Sequence, residues 1–342
     1  MELNFDVHGL GVKVVTNDIS FANYVADNLS IFESGDQPSP DLEVNYSFCR
    51  GSGYGIKPGL EMERIGRQIW SGESSVLFRS RGLEVLARLE PYGLSIDSRY
   101  HQRDTGRSQT RRLIRKIRGG NLPESRKIEI SHYAARSSVH LPIFWLFGKR
   151  RNLTLIHASS VSIDGGTLVF TGLNNCGKST LAASLSINRG WPQMSDNFTL
   201  VDGSRVYAYP ESRRISMDML KAVPGADEGK EAYGKLHMPE GRKEVPMTSG
   251  AKNVYFMSLG SGSSIVPVDR QMALWKIMAI NDFIGEFPEY SYLRFLTDSG
   301  REEESRYRVI EKFLSNSKQY LLTQSSEPNL DETYRLIEGT LL

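Results

Sequence analysis

The stretch Leu168-Val-Phe-Thr-Gly-Leu-Asn-Asn-Cys-Gly-Lys-Ser-Thr180 decides the fold of this chain. An apolar strand, Leu168 to Phe170, runs into Gly172-Leu-Asn-Asn-Cys-Gly177-Lys178-Ser179-Thr180, and a helix-forming stretch, Lys178 to Ile187, follows. The loop satisfies G-x-x-x-x-G-K-[ST] without a mismatch. In that strand–loop–helix arrangement main-chain N–H groups wrap a phosphate and the helix N-terminus faces its charge. Lys178 is expected on the β and γ oxygens, and the Ser179 hydroxyl on Mg2+. Gly172, Asn174, Asn175, Cys176, Gly177, Lys178, Ser179 and Thr180 thus form the expected binding loop for a purine nucleotide.

Outward from the loop, strands are expected at Leu153 to His157 and Ser160 to Ile163, with a hairpin turn at Gly165-Gly166. Gly190 is the expected helix stop. Further strands fit Phe198 to Val201, Arg205 to Tyr209, Asn253 to Leu259 and Ser264 to Val268. Helical patterns cover Tyr133 to Phe147, Asp269 to Ile284, Ser291 to Thr297, Glu302 to Ser315 and Leu330 to Leu341. The Gly- and Pro-containing stretch Val223 to Gly250, with Lys235, Arg242 and Lys243, reads as a mobile loop.

The first hundred residues are strand-rich. Leu10 to Thr16, Leu42 to Phe48, Ser75 to Arg79, Leu83 to Leu89 and Leu94 to Ser98 alternate or are β-branched. Phe21 to Phe32 has helical spacing, with Asn17 or Ser20 as its cap. An antiparallel sheet with one helix fits this part. A basic segment follows, about 101–127, carrying Arg103, Arg107, Arg111, Arg112, Arg115, Lys116, Arg118, Arg126 and Lys127. It reads either as a solvated linker or as a dock for an acidic partner; its few aromatics argue against nucleic acid. Gly119-Gly120 and Pro123 place the domain boundary. The expected organisation is a strand-rich α+β domain over 1–125 and a P-loop domain over 126–342: an α/β chain, α+β overall.

A P-loop does not name a reaction, so a second acid is needed. Asp196 follows the loop helix in Gln193-Met-Ser-Asp196-Asn197. A helix and a short strand return the chain beside the loop at that separation. A carboxylate there either completes the Mg2+ shell or takes the proton of an acceptor hydroxyl. The plain alternative is turn chemistry, which Ser-Asp-Asn also fits. Asp202 is a rival metal ligand after the apolar run Phe198 to Val201, but Asp202-Gly203-Ser204 also makes a hairpin turn, the preferred reading. Arg213 and Arg214 read as surface charge or as a phosphate clamp.

Composition bounds the remaining classes. The chain has 342 residues, 39% hydrophobic and 24% charged, the range of a globular protein. Its net charge of +2 selects no partner by bulk electrostatics. No stretch approaches the roughly 20 apolar residues that span a bilayer, and the N-terminus does not read as a signal peptide. Only two cysteines occur, Cys49 and Cys176, one of them inside the loop. A reduced, cytoplasmic protein is expected. A thiol in an anion-binding loop is further expected below its usual pKa range. N-K-x-D, L-S-G-G-Q and a D-E pair after four apolar residues are absent from the sequence. Ras-type GTPases, transporter ATPases and AAA-type motors are therefore disfavoured.

Taken together, the run from Leu155 to Tyr209 resembles the C-terminal catalytic domain of HPr kinase/phosphorylase and its related kinases. The likeness rests on Leu155-Ile-His157-Ala158, the hairpin, the P-loop with its helix, Gly190-Trp191, Ser195-Asp196-Asn197, the strand Phe198 to Val201, and Tyr209-Pro210 to Arg213-Arg214. It implies a mixed-sheet P-loop fold related to phosphoenolpyruvate carboxykinase. It also implies frequent homo-oligomers and ATP-dependent transfer to a hydroxyl, typically a serine of a protein or peptide. His157 matches a family histidine beside the phosphates; a buried core histidine is the alternative. The family usually has two successive aspartates where this chain has Asp196-Asn197, and Asn197 cannot take a proton. Residues 1 to 125 do not resemble the regulatory domain of HPr kinase itself.

The leading expectation is an ATP- and Mg2+-dependent kinase with Lys178, Asp196 and His157 as catalytic residues and Ser179 and Asp196 at the metal. The competing readings are a nucleotide-binding regulatory module or slow ATPase, and a nucleic-acid-linked ATPase built on the basic segment.

Overall fold

The computed structural model describes residues 1–36, 39–50, 55–102, 122–209, 213–216, 230–232, 235–238, 245–285, 292–296, 300–325 and 329–341. The fold is mixed α/β, with two mixed sheets and flanking helices. Two compact units divide the chain: Met1–Trp145 with Phe287–Ser299, and Leu146–Glu286 with Gly300–Leu342. Among the described residues no helix is long and apolar enough to cross a membrane.

The first unit is built on eight strands: β1 (Glu2–Val7), β2 (Leu10–Thr16), β3 (Leu42–Arg50), β4 (Glu63–Arg64), β5 (Ile69–Ser71), β6 (Ser75–Ser80), β7 (Leu83–Glu90) and β8 (Gly93–Gln102). Their order is β1-β2-β3-β8-β7-β6-β5-β4. Leu10, Val12, Val14 and Thr16 of β2 are buried while the residues between them are half-buried, the period of a one-faced strand. The sheet is mixed rather than antiparallel, because β2, β3 and β8 run parallel. Between β2 and β3 the chain passes through α1 (Ile19–Leu29), which is capped by Asp18, not by Asn17 or Ser20. Asp18 Oδ1 accepts from Ser20 N at 2.9 Å. The buried Glu84 of β7 accepts from Arg79 Nε, His101 Nε2 and Gly55 N at 2.9, 2.8 and 2.8 Å. A carboxylate with no exposure persists only when paired this way.

A helical run spans α2 (Glu124–Ala135), a wide π turn (Arg136–His140) and α3 (Leu141–Arg150). It starts at Glu124, just after Pro123 and earlier than the Tyr133 expected from spacing, and the unit division falls within it rather than near Gly119. The reason is that α2 packs on α1, with Tyr24 OH 2.7 Å from His132 Nδ1. Arg126 and Lys127 pair along the helix with Glu129 and Glu124 at 2.5 and 3.4 Å. The remainder of the basic segment, 103–121, lies outside the described residues.

The second unit centres on nine strands: β9 (Thr154–Ile156), β10 (Ala158–Ile163), β11 (Gly166–Thr171), β12 (Gln193–Ser195), β13 (Thr199–Val201), β14 (Arg205–Tyr207), then β18 (Thr248–Gly260), β19 (Ser264–Pro267) and β20 (Lys318–Ser325). The strand β11 lies between antiparallel β10 and parallel β18. Beyond them, β12 pairs antiparallel with β10, and β20 parallel with β18. The first residues of β18 also pair with β14, which leads to β13 and β9. Three strands within and before the expected mobile loop, β15 (Arg213–Ser216), β16 (Lys230–Ala232) and β17 (Lys235–Met238), form an antiparallel sheet of order β15-β17-β16. That stretch is thus not wholly a loop; Arg242, Lys243 and the side chains of Arg213, Arg214 and Lys235 lie outside what is described.

The helices of this unit are α4 (Lys178–Asn188), α5 (Arg270–Gly285), α6 (Gly300–Ser315) and α7 (Leu330–Gly339). A core of Leu168, Phe170, Leu181, Leu185, Tyr255, Leu322, Tyr334 and Ile337 joins α4 and α7 to the sheet. Gly190, just past α4, has the left-handed φ of +69° that ends a helix.

Candidate functional site

The last residue of β11, Thr171, opens the loop at the carboxyl edge of its strand, and α4 begins at Lys178. Gly177 caps α4 with φ +92°, a conformation that favours glycine, and Leu181 N bonds to its carbonyl at 2.9 Å. Asn175 is also left-handed at φ +63°, which asparagine tolerates. At Gly172 a Cβ would lie 2.7 Å from Met257 O, so the loop begins pressed against the end of β18. Leu173, Asn174 and Asn175 are exposed, and Cys176 and Lys178 are buried beneath them.

Lys178 folds its ammonium across the loop, donating to Gly172 O at 2.9 Å and Leu173 O at 2.8 Å. Cys176 Sγ is 3.8 Å away. Burial pushes the Cys176 thiol above its usual range, and the nearby Lys178 charge offsets this only in part. That overturns the expected lowered pKa: six-per-cent exposure beside one lysine leaves the thiolate poorly solvated. Ser179 and Thr180 are half-buried in the first turn of α4.

The register carries two further residues to the same edge. Ala158 of β10 faces Thr171, and Ser160 faces both Val169 of β11 and Ser195 of β12. Asp196, one residue past the end of β12, therefore lies at the level of the loop, two strands from β11. At about 4.8 Å per strand that is roughly 10 Å. The residue is 1% exposed. Ser159 donates its hydroxyl to Asp196 O. Behind it runs a directed chain of hydroxyls. Thr199 donates to Ala158 O at 3.1 Å, so it accepts from Ser195 at 2.5 Å, which in turn accepts from Ser160 at 2.7 Å. These bonds weld β10, β12 and β13 together under the acid.

His157 stands where the chain leaves β9 for β10, and is buried. Its Nδ1–H donates to Asn197 O at 3.1 Å. Asn281 of α5 accepts from His157 N at 3.0 Å and donates to Leu155 O at 3.3 Å. Thr171 donates to His157 O at 3.0 Å. The loop, His157 and Asp196-Asn197 thus share one edge of one sheet.

Asp202 does not join them. Its Oδ1 accepts from Ser204 N and Arg205 N, both at 2.7 Å, and its Oδ2 from Tyr207 OH at 2.8 Å. Burial raises this carboxyl, but those hydrogen bonds outweigh it and the net shift is downward. Val201, its neighbour, is opposite Val206, which is opposite Ser249. Thr171 is opposite Phe256. At about 3.3 Å per residue, Ser249 and Phe256 are roughly 20 Å apart along β18. Asp202 is the acid of a hairpin turn.

Sequence reading missed the supports of the site: Ser159, Ser160, Thr171, Thr199, Asn281 and Met257. Small hydroxyls inside short strands carry no pattern that marks them. Asn281 does interrupt an apolar stretch of α5, and that interruption was the one available signal.

The residues present fit a magnesium nucleotide. The loop holds glycine where a Cβ would strike the end of β18, a cation against its carbonyls, and a hydroxyl at the helix N-terminus. Mg2+ held through phosphates needs only one or two protein ligands, which Ser179 and Asp196 match in number. No protein-family model matches the chain, and no curated protein matches it.

Proposed function

We propose that the chain is an ATP- and Mg2+-dependent kinase that phosphorylates a hydroxyl, a serine of a protein or peptide. Its domain is of the mixed-sheet P-loop type related to phosphoenolpyruvate carboxykinase. The observation that carries the reading is the buried carboxylate of Asp196, set at the loop's own sheet edge about 10 Å from β11. An antiparallel strand next to the P-loop strand, as β10 is to β11, supports the mixed-sheet type.

Bound Mg·ATP supplies the γ-phosphoryl group and much of the neutralising charge. The loop amides and Lys178 would hold the phosphates, and the Ser179 hydroxyl would be a ligand for the metal. Asp196 would take the proton of the attacking hydroxyl, or would support the metal, with positioning then supplying the catalysis. His157 anchors Asn197 through its main chain. ATP over GTP, and serine as the acceptor, follow the resemblance to HPr kinase-related proteins.

Asn197 in place of a second acid favours one further reading, a nucleotide-binding module or slow ATPase. Incubating the chain with γ-labelled ATP and candidate acceptor polypeptides separates the two. Label on serine, lost in Lys178→Ala, supports the kinase. Free phosphate alone, lost in the same variant, supports the slow ATPase.

A further inference from the structure

Gln324 is a polar side chain in an apolar place. It lies at the carboxyl end of β20, opposite Leu259 of β18, and is 3% exposed. Leu322, two residues earlier and so on the same face of β20, belongs to the core that also holds Met257, Tyr334 and Ile337. A leucine would fill such a position without the cost of burying an amide.

The amide has a fixed direction. Thr333 of α7 spends its only proton on Asn329 O at 3.1 Å, so it accepts from Gln324 Nε2 at 3.2 Å. The carbonyl of Gln324 consequently points the other way. Its Oε1 lies 3.3 Å from where a Cβ at Gly177 would stand. The glycine that starts the phosphate-binding helix is therefore abutted by an oxygen whose orientation is set by α7. The same α7 grips the far end of α4: Asn188 Nδ2 donates to Tyr334 OH at 3.0 Å, and Arg189 Nε to Glu338 Oε1 at 2.9 Å.

We infer that Gln324 is a positioning residue for nucleotide binding, through which α7 presets the left-handed Gly177 and with it the ring of loop amides. This rests on the proposed nucleotide site. An oxygen carrying partial negative charge beside the positive end of α4 holds that end in place before the phosphates arrive. Preset amides bind an anion without first having to be ordered.

The test uses the full chain and Gln324→Met, which keeps length and removes the amide. A second variant, Thr333→Val, keeps shape and removes the acceptor. Calorimetry with Mg·ATP is expected to show about tenfold weaker binding for Gln324→Met, about 1.4 kcal/mol. Thr333→Val should weaken binding in the same direction, and the double variant should bind no more weakly than Gln324→Met, since both remove the Gln324–Thr333 bond; Thr333→Val also gives up the Asn329 contact. The melting temperature of Gln324→Met without nucleotide should stay the same or rise. Hydrogen exchange at the amides of 173–178, without nucleotide, should quicken in both variants. Wild-type binding by Gln324→Met, or additive losses in the double variant, would overturn the inference and leave the nucleotide site standing. An unaltered chain that binds no Mg·ATP would remove the site, and this role with it.

Discussion

The ammonium of Lys178 lies 2.9 Å from the carbonyl oxygen of Gly172, folded back over the loop that it closes. One cation thus spans the first and last turns of the cradle, and its positive charge is held where an anion would arrive. Replacement by methionine keeps the stem and removes the charge. Lys178→Met is expected to raise the Kd for Mg·ATP by at least about 100-fold, the scale of a charge-assisted contact of roughly 3 kcal/mol. Calorimetry at constant salt checks this, and an unchanged Kd would place the phosphates elsewhere.

Gly177 meets two demands at once, a φ of +92° and the neighbouring Gln324 oxygen. Alanine has the first at a cost of about 1–2 kcal/mol and presses on the second. Gly177→Ala should lower stability by about that amount in urea unfolding and weaken Mg·ATP binding beyond detection. Gly190→Ala, at φ +69° with nothing near its Cβ, should lose stability alone. Equal binding in both variants would show that the loop tolerates displacement at its hinge.

In the proposed kinase, Asp196 would separate binding from chemistry. It stands two strands away from β11, while the phosphates would be gathered by the loop itself. Asp196→Asn should reduce phosphoryl transfer at least about 1000-fold, the usual scale for a lost general base. The Kd for Mg·ATP should change less than about threefold. Label-transfer rates and calorimetry on the same preparation check both, and normal turnover would assign the proton to another group.

Cys176 reverses its expected behaviour. Burial raises its thiol above the ordinary range, so at neutral pH it stays protonated. Half-exposed Cys49 should therefore react with iodoacetamide first, with buried Cys176 lagging behind it at neutral pH. Mass-spectrometric mapping of the two sites over time decides it. Faster labelling of Cys176 would mean that the loop opens on its own.

What the sequence shows of this fold is mostly local. The strand Leu168 to Phe170, the glycine spacing and the helix after Lys178 are set by neighbours within a dozen residues, and they are legible. The caps were less so: Asn17, Asp18 and Ser20 are all competent, and geometry chooses Asp18. Strand β12 is three residues long and leaves no periodic trace. Strand β20, Lys-Gln-Tyr-Leu-Leu-Thr-Gln-Ser, has few apolar residues and takes its place from β18 on one side and β19 on the other. The parallel pairing of β2, β3 and β8 is likewise invisible, because alternation is the same in either direction. Asp196 was legible as an acid near the loop; the hydroxyl chain Ser160–Ser195–Thr199 that seats it was not.

The turn acid Asp202 gives a pH signature separate from the proposed nucleotide site. Its carboxyl titrates below the ordinary range, since Ser204, Tyr207 and Arg205 donate to the ionised form against the opposing effect of burial. A lowered folded pKa means that ionised Asp202 favours the fold above its unfolded pKa, near 3.9, and that this contribution fades as pH falls below about 4. Asp202→Asn should therefore destabilise the chain at pH 7, where two main-chain donors and a phenol lose a charged acceptor. The difference from the unaltered chain should shrink steadily as pH falls below about 4. Nucleotide affinity at pH 7 should be unchanged, because the hairpin lies roughly 20 Å along β18 from the residue facing Thr171. Urea unfolding across that pH range, with calorimetry at pH 7, measures both. A loss of Mg·ATP binding in Asp202→Asn would return this carboxylate to the metal.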